Sequence, residues 1–504
     1  MRHLIAVLAL TCCSGLHPLQ AQITPASYMA RRAEAAKRMD DGVLVGFGGR
    51  APIGTSAFQQ LPAFEYLTGF NEPDAAFALV KRDGAVTSFL FTQEESPISE
   101  LFNGFVADSA SIAARTGLPT RPIAELRPLL DSLSSAGLTV YDLRDFASSD
   151  ASQSDSLTRG SSLITSLRAA HLALVVKDGH ELLDQLRAKK SPEELALMRR
   201  AIEITAEAQR TAMRVTTPGV NEGEIQGVIE SVFRENGAGG PSFTTIVGSG
   251  PNSTTLHYEA NSRTTMAGDV MVMDIGASYQ GYSADVTRTI PVSGTYTPEQ
   301  RTIFQLVRDA QAAAERQVHP GASVKTETDS MEAVRDAGLV RLGLIESTQA
   351  TFDPPWAKYC ANSPVACQQG FLFMPHGLGH GIGLEVHDPA QYYYDDHVFK
   401  IGDAFTIEPG IYISTRLLDM LPDTPKNREF IAKVRPVVEK YNNIGIRIED
   451  DYFVVEHGVE WVSRAPREIV EIEALMHQGH TAEIAGGHWQ LTHDSRNAAP
   501  GRKP

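Results

Sequence analysis

Along residues 25–175, short apolar runs of strand length alternate with stretches whose apolar residues recur every three or four positions, the pattern of an α/β unit. Residues 75–80 and 86–91 flank Arg82-Asp83-Gly84 and predict a β-hairpin, and residues 125–133 have helical spacing. Residues 148–166, rich in Ser, Asp and Thr, predict a loop within this unit or near its end.

A second unit, residues 185–476, opens in earnest at Ser191-Pro192-Glu193-Glu194. Ser191 is placed to cap a helix, Pro192 to take its first position and Glu194 to close a capping box. Leu195, Met198, Ile202 and Thr205 continue at helical spacing. After Pro218-Gly219 a second helix carries Ile225, Val228, Ile229, Val232 and Phe233 on one face, and a third starts at Thr297-Pro298 with Ile303, Phe304 and Val307. Apolar strands follow at residues 270–275, 286–292, 404–413 and 446–455, which predicts an α+β domain on antiparallel strands. After Met476 the periodicity stops. Gly, Ala, Asn and Pro with scattered His477, His480, His488 and His493 predict a solvated flexible tail over residues 477–504.

Composition narrows the function classes. The 504 residues suffice for two to four cores, and 45 basic against 61 acidic residues give a net charge of −16. No Lys/Arg run supplies a local basic patch, so no nucleic-acid partner is expected. Arg2, the apolar run over residues 4–10 and Ala21 before Gln22 have the form of an export signal, residues 1–21. That run is too short to span a bilayer, and no later stretch reaches the roughly 20 apolar residues a spanning helix needs. The mature protein is expected free in the periplasm or secreted, with no membrane span. Removing the signal takes away Cys12 and Cys13 and leaves Cys360 and Cys367, which could pair where disulfides persist.

Candidate chemistry begins in residues 269–289, two strands joined by a tight turn near Tyr279 and Gln280. A turn centred there sets Asp274 directly opposite Asp285, with Cβ atoms about 4.5–5.5 Å apart. A turn at Gln280-Gly281 makes the pair diagonal and keeps it within reach of one ion. Carboxylates that close destabilise each other unless a cation lies between them; one of them turned outward through a bulge is the structural alternative. The second constellation is His376-Gly-Leu-Gly-His380-Gly-Ile-Gly-Leu-Glu-Val-His387-Asp388. Its glycines at 377, 379, 381 and 383 argue against a helix, and Gly377 stands where a helical zinc-peptidase motif needs its glutamate. Glu408, before Pro409-Gly410, and Glu449, after Arg447-Ile448, add acids in strand contexts. A solvated Arg447/Glu449 edge is the alternative there.

Together these motifs resemble those of the Xaa-Pro aminopeptidases (aminopeptidase P) of the pita-bread metallopeptidase superfamily, which also holds prolidases, methionine aminopeptidases and creatinases. The superfamily's five metal ligands fall on Asp274, Asp285, His380, Glu408 and Glu449. The segment Phe64-Glu-Tyr-Leu-Thr-Gly-Phe-Asn-Glu-Pro-Asp74 is similar to the one that marks the aminopeptidase P branch over prolidase. Residues 351–369, which carry both mature cysteines, and the histidine-bearing tail depart from the family pattern.

The resemblance implies a C-terminal α+β pita-bread catalytic domain behind a smaller creatinase-like α/β domain. It implies two divalent ions, Mn²⁺ by preference with Co²⁺ or Zn²⁺ as alternatives, and the charge of four carboxylates balances two such ions. Asp285 and Glu449 would bridge both ions, Asp274 complete one and His380 with Glu408 the other, with a hydroxide between them as nucleophile. By the same resemblance His257 and His387 lie near the scissile carbonyl and substrate amine, His376 toward the proline, Arg447 behind the ligands, and Glu408 shuttles a proton. The implied reaction releases the first residue of peptides with proline second, in a homodimer or homotetramer. The alternatives are a prolidase confined to Xaa-Pro dipeptides, a creatinase-like metal-free hydrolase and a non-catalytic binding module.

Overall fold

In a computed structural model the chain is described over residues 22–51, 58–93, 97–103, 108–144, 158–361, 363–388 and 396–479. The expected export signal, the first part of the 148–166 stretch and everything after Gly479 lie outside the described residues.

The N-terminal unit is a mixed six-stranded sheet. Strands β1 (Gly42–Phe47), β2 (Ala76–Arg82), β3 (Ala85–Thr92), β4 (Thr120–Pro122), β5 (Thr139–Asp142) and β6 (Val176–Asp178) lie in the order β4-β3-β2-β1-β5-β6. The expected hairpin is β2–β3. Asp83 and Gly84 close it at φ 52° and 80°, the two left-handed residues that a two-residue turn requires. Helices Leu126–Ser135 and Arg159–Ala170 bury Leu126, Leu130, Leu133, Ile164 and Leu167 in one core with the sheet. The second of these corrects the loop expected over residues 148–166. Thr158 caps it by accepting from the Ser161 amide, and burial of Ile164 and Leu167 outweighs the loop preference of its serines.

In the C-terminal unit the capping box of Ser191 and Glu194 forms as expected and starts helix Pro192–Val215. Helix Pro298–Glu315 starts at Thr297 as expected, and there Thr297 and Gln300 form a second capping box. The strands of this unit are β7 (Gly240–Pro241), β8 (Ile246–Ser249), β9 (Val270–Ile275), β10 (Ala277–Tyr279), β11 (Tyr282–Ser283), β12 (Val286–Pro291), β13 (Ala404–Ile407), β14 (Gly410–Ile413), β15 (Ile444–Arg447), β16 (Asp450–Val455) and β17 (Gly458–Trp461); the first helix packs on β10–β12 and the second on β13–β15. All pairings among these strands are antiparallel.

Two expectations are corrected here. The hairpin turn is Gln280-Gly281, at φ 49° and 84°, with Tyr279 opposite Tyr282. Thr287 therefore lies across from Asp274, and Asp285 is its diagonal neighbour. The strands expected over residues 404–413 and 446–455 are each broken, at Glu408-Pro409 and at Ile448-Glu449. Pro409 has no N–H to give a ladder. Pairing resumes in the same register beyond the gap, Ile407 with Asp450 and Gly410 with Arg447, so the two breaks face each other.

The β9–β12 ladder is interrupted in the same way, between the pairs Ile275–Val286 and Ser278–Ser283. A buried glutamine on a covering helix serves each break. Gln209 Nε2 donates to the carbonyls of Met273 (3.0 Å) and Val286 (2.8 Å), and Gln311 Nε2 to those of Ile407 (3.2 Å) and Ile448 (3.3 Å). Carbonyls that an intact ladder would have satisfied thus keep a partner. No repeat is visible in the sequence, yet the two halves share this device.

Arg288 on β12 ties one half to the other. Fully buried, it donates to Asp450 Oδ1 at 2.6 Å and to the carbonyls of Thr287, Glu449, Ala465 and Pro466 at 2.7–3.1 Å. Cys360 and Cys367 form a disulfide inside the 351–369 segment. The last described helix, Ile469–Gly479, runs past Met476, where a tail was expected to begin. No helix of the described residues is long and apolar enough to cross a membrane.

Replacing Arg288 by alanine removes its hydrogen bonds to the carbonyls of Glu449, Ala465 and Pro466, leaves that of Thr287 with the Glu449 amide, and leaves Asp450 with Arg467 as its remaining cation. Arg288→Ala is expected to lower the unfolding free energy by about 3–5 kcal/mol in urea denaturation. A loss below about 1 kcal/mol would contradict this bracing role.

Candidate active site

The interruptions carry the chemistry. Asp285 sits in the gap between β11 and β12, Glu408 between β13 and β14, and Glu449 between β15 and β16, while Asp274 occupies the end of β9. His380 arrives on an irregular segment that runs beside β13. The Thr406 amide donates to the His380 carbonyl at 2.9 Å and the Glu408 amide to the Leu378 carbonyl at 2.7 Å. Such close approach needs Gly379, where a Cβ would fall 2.0 Å from the Thr406 oxygen. All nine residues singled out from the sequence, His257, Asp274, Asp285, His376, His380, His387, Glu408, Arg447 and Glu449, line one cavity of about 620 Å³.

Within it, His380 Nε2 lies 3.5 Å from Asp285 Oδ2 and 3.8 Å from Glu408 Oε1 and Glu449 Oε1. The Gly381 carbonyl, 3.0 Å from His380 Nδ1, takes the ring N–H. Nε2 is thereby left as a lone pair facing the acids. His387 packs on His380 with ring centres 4.2 Å apart, and His257 is exposed at the rim.

Electrostatics make this cluster costly. Burial first, then the neighbouring carboxylates, hold Asp285 and Glu408 well above the usual carboxylate range and push Glu449 up to about 8. Burial pushes His380 down to about 3, with His387 contributing. Asp274 Oδ1 and Asp285 Oδ1 are buried without a hydrogen-bond partner among the described residues. Two orphaned carboxylate oxygens and an imidazole lone pair, converging with Glu408 and Glu449, fit divalent cations that accept oxygen and imidazole ligands.

The model of metallopeptidase family M24 matches residues 196–456, and that of the aminopeptidase P N-terminal domain matches residues 28–141. The chain belongs to metallopeptidase family M24. This M24 protein is 32% identical over 468 residues to the Xaa-Pro aminopeptidase of Haemophilus influenzae, across 90% of this chain and 94% of the relative. The Xaa-Pro aminopeptidase of Escherichia coli gives the same identity and length, across 98% of the relative. The fold is similar to that of Escherichia coli aminopeptidase P solved with the inhibitor Pro-Leu. The TM-score is 0.74 at 30% identity, covering 92% of this chain and all of the other (100%). Both domains therefore follow the aminopeptidase P architecture, and the M24 chain is a hydrolase.

The sequence reading missed Thr287 and Tyr412, which help to hold the M24 acids in place. Arg447, buried like Glu449, is no solvated edge. It donates to Asp274 Oδ2 at 2.5 Å, to Tyr412 Oη at 2.8 Å and to Thr287 Oγ1 at 3.3 Å. Thr287 in turn donates to Glu449 Oε2 at 2.6 Å. His376 commits its Nδ1 proton to the Gly377 carbonyl at 2.8 Å, so Tyr412, 3.0 Å from Nε2, gives its own proton to His376. Burial, then Arg447, push His376 down to about 3, so it is neutral in this network. Thr287 was legible as the residue two beyond Asp285 on one strand face. Tyr412 showed only as the hydroxyl in the apolar strand Gly410–Ile413.

A pH prediction follows from these shifts. With no cation bound, the folded M24 cluster keeps protons that an unfolded chain releases near pH 4–5. Stability of metal-depleted protein therefore falls as pH rises from about 4.5 toward about 8. Divalent cations must displace those protons. Titration calorimetry of metal-depleted protein with Mn²⁺ at pH 7 is expected to show proton release, as a heat that depends on the buffer's ionisation enthalpy. A buffer-independent heat would contradict this.

Proposed function

We propose that this protein is a metal-dependent Xaa-Pro aminopeptidase that removes the first residue of peptides with proline second. The observation that carries this reading is the convergence of Asp274, Asp285, His380, Glu408 and Glu449 in one cavity of a chain whose relatives bear that activity in their names. These five side chains would hold two divalent cations, with Asp285 and Glu449 shared between them and manganese the preferred metal. Bound there, the ions supply Lewis acidity toward the scissile carbonyl and a water nucleophilic at neutral pH.

The remaining chemistry belongs to the chain. An Xaa-Pro bond is a tertiary amide without N–H, so contacts with the pyrrolidine ring must replace the usual backbone donor. His376 stands on the proline side, where the Tyr412 hydroxyl fixes its ring. His257 and His387 serve as donors to the carbonyl oxygen as it gains charge, and hold the substrate amine. Glu408, whose carboxyl burial holds well above its usual range, is suited to carry a proton to the departing prolyl nitrogen. Arg447 holds Asp274 in its ligating position rather than touching substrate.

Export to the periplasm or medium belongs to the same proposal, and the Cys360–Cys367 bond supports it because disulfides persist in such compartments. So does assembly as a homodimer or homotetramer, by resemblance to the aminopeptidase P family. The apparent insertion carries the disulfide, and none of its described residues lines the cavity.

Cleavage of Arg-Pro-Pro and of Gly-Pro, before and after chelation, tests the assignment. Activity on the tripeptide is expected to vanish on chelation and return with Mn²⁺, whereas exclusive cleavage of the dipeptide would make the protein a prolidase. Asp285→Ala is expected to lower kcat/KM by about a thousandfold or more, and His387→Ala by about a hundredfold. Either variant at wild-type activity would contradict its role.

A further inference from the structure

Glu327 is a buried acid that nothing above uses. It lies in the first turns of helix Val324–Leu342, is 4% exposed, and lines the same cavity as the candidate ligands. Its Oε1 has no hydrogen-bond partner among the described residues. Burial holds its carboxyl well above the usual range, and no neighbouring charge adds to or offsets that effect. A wall position with a purely structural duty would be filled better by an apolar side chain, because an unpaired buried carboxyl is destabilising.

The surroundings say what could pair with it. Val324, Glu327 and Thr328 are spaced to share one helix face, and all three line the cavity. Val324 packs in a cluster with Met374 and Leu378, which joins this face to the segment that carries His376. Among the described residues Arg447 is the one guanidinium or ammonium in the lining, and it is committed to Asp274 and Tyr412. A second carboxylate outside the ligand set, Glu259, lines the cavity as well. The wall therefore offers an acceptor that protein cations leave unmatched.

We propose that Glu327 is a specificity-determining residue, accepting the ammonium or guanidinium of a basic side chain at the substrate position that follows proline. The inference rests on the aminopeptidase reading and on His376 marking the proline side. In the aminopeptidase reading the free amine of the substrate is held on the side of His257 and His387, so a side chain must supply this second cation. A charged partner also stabilises the ionised acid, and position in the first turn of a helix favours that negative charge.

The test compares wild-type and Glu327→Gln proteins, both loaded with Mn²⁺, on Ala-Pro-Lys-Ala and on Ala-Pro-Nle-Ala, whose norleucine lacks the charge. Lys-Pro-Nle-Ala controls for the first position, and thermal unfolding monitors folding. Wild type is expected to favour lysine over norleucine after proline by about tenfold in kcat/KM, and Glu327→Gln to lose that ratio through KM. Equal rates in the wild type, or an unchanged ratio in the variant, would overturn the proposal. So would a parallel loss on both peptides, which marks a structural or neutral hydrogen-bonding role, or a lysine preference that appears at the first position instead. A wild-type protein that cleaves none of the three peptides removes the aminopeptidase reading itself.

Discussion

Asp274, Asp285, Glu408 and Glu449 crowd into one pocket. Burial and mutual repulsion both favour the protonated forms of Asp285, Glu408 and Glu449, which are held above the ordinary carboxylate range. A fold keeps such a cluster only where its positions are fixed from outside and its charge is met from within. The backbone supplies the fixing, and divalent cations are the natural source of the charge.

The backbone solution is the same in both halves. A strand ladder is interrupted, a carboxylate occupies the gap, and a buried glutamine from a covering helix satisfies carbonyls beside it. The interruption turns a side chain that would alternate along a sheet toward a common centre. Arg288 then binds the carbonyl of Glu449 and the carboxylate of Asp450, so residues on both flanks of the Glu449 peptide are held. Arg447, Thr287 and Tyr412 carry the restraint on to Asp274, Glu449 and His376. Placement of these side chains is thus distributed over strands separated by more than a hundred residues in sequence.

What the sequence made legible was local or chemical. The capping box at Ser191 depends on residues three apart, the helix start at Thr297 on the proline that follows it, and the hairpin at Arg82-Asp83-Gly84 on its turn chemistry. The acids and histidines stood out by type and by glycine-rich context, and the structure gathers them. The register of the Asp274–Asp285 hairpin was ambiguous because turns at Tyr279-Gln280 and at Gln280-Gly281 both preserve alternation. Positive φ at two successive residues selects the one that places glycine second. The broken strands read as continuous because apolar periodicity does not register a two-residue gap. Helix Arg159–Ala170 was hidden by its serines, since its burial against the sheet is a tertiary effect. Arg288 and Tyr412 carry no local signal, because their partners lie far along the chain.

Anomalous diffraction from crystals soaked in manganese bears most directly on the central claim. Two peaks are predicted in the cavity, both contacted by Asp285 and Glu449, one also by Asp274 and the other by His380 and Glu408. Anomalous density lying elsewhere, or a cavity that holds none, would contradict it.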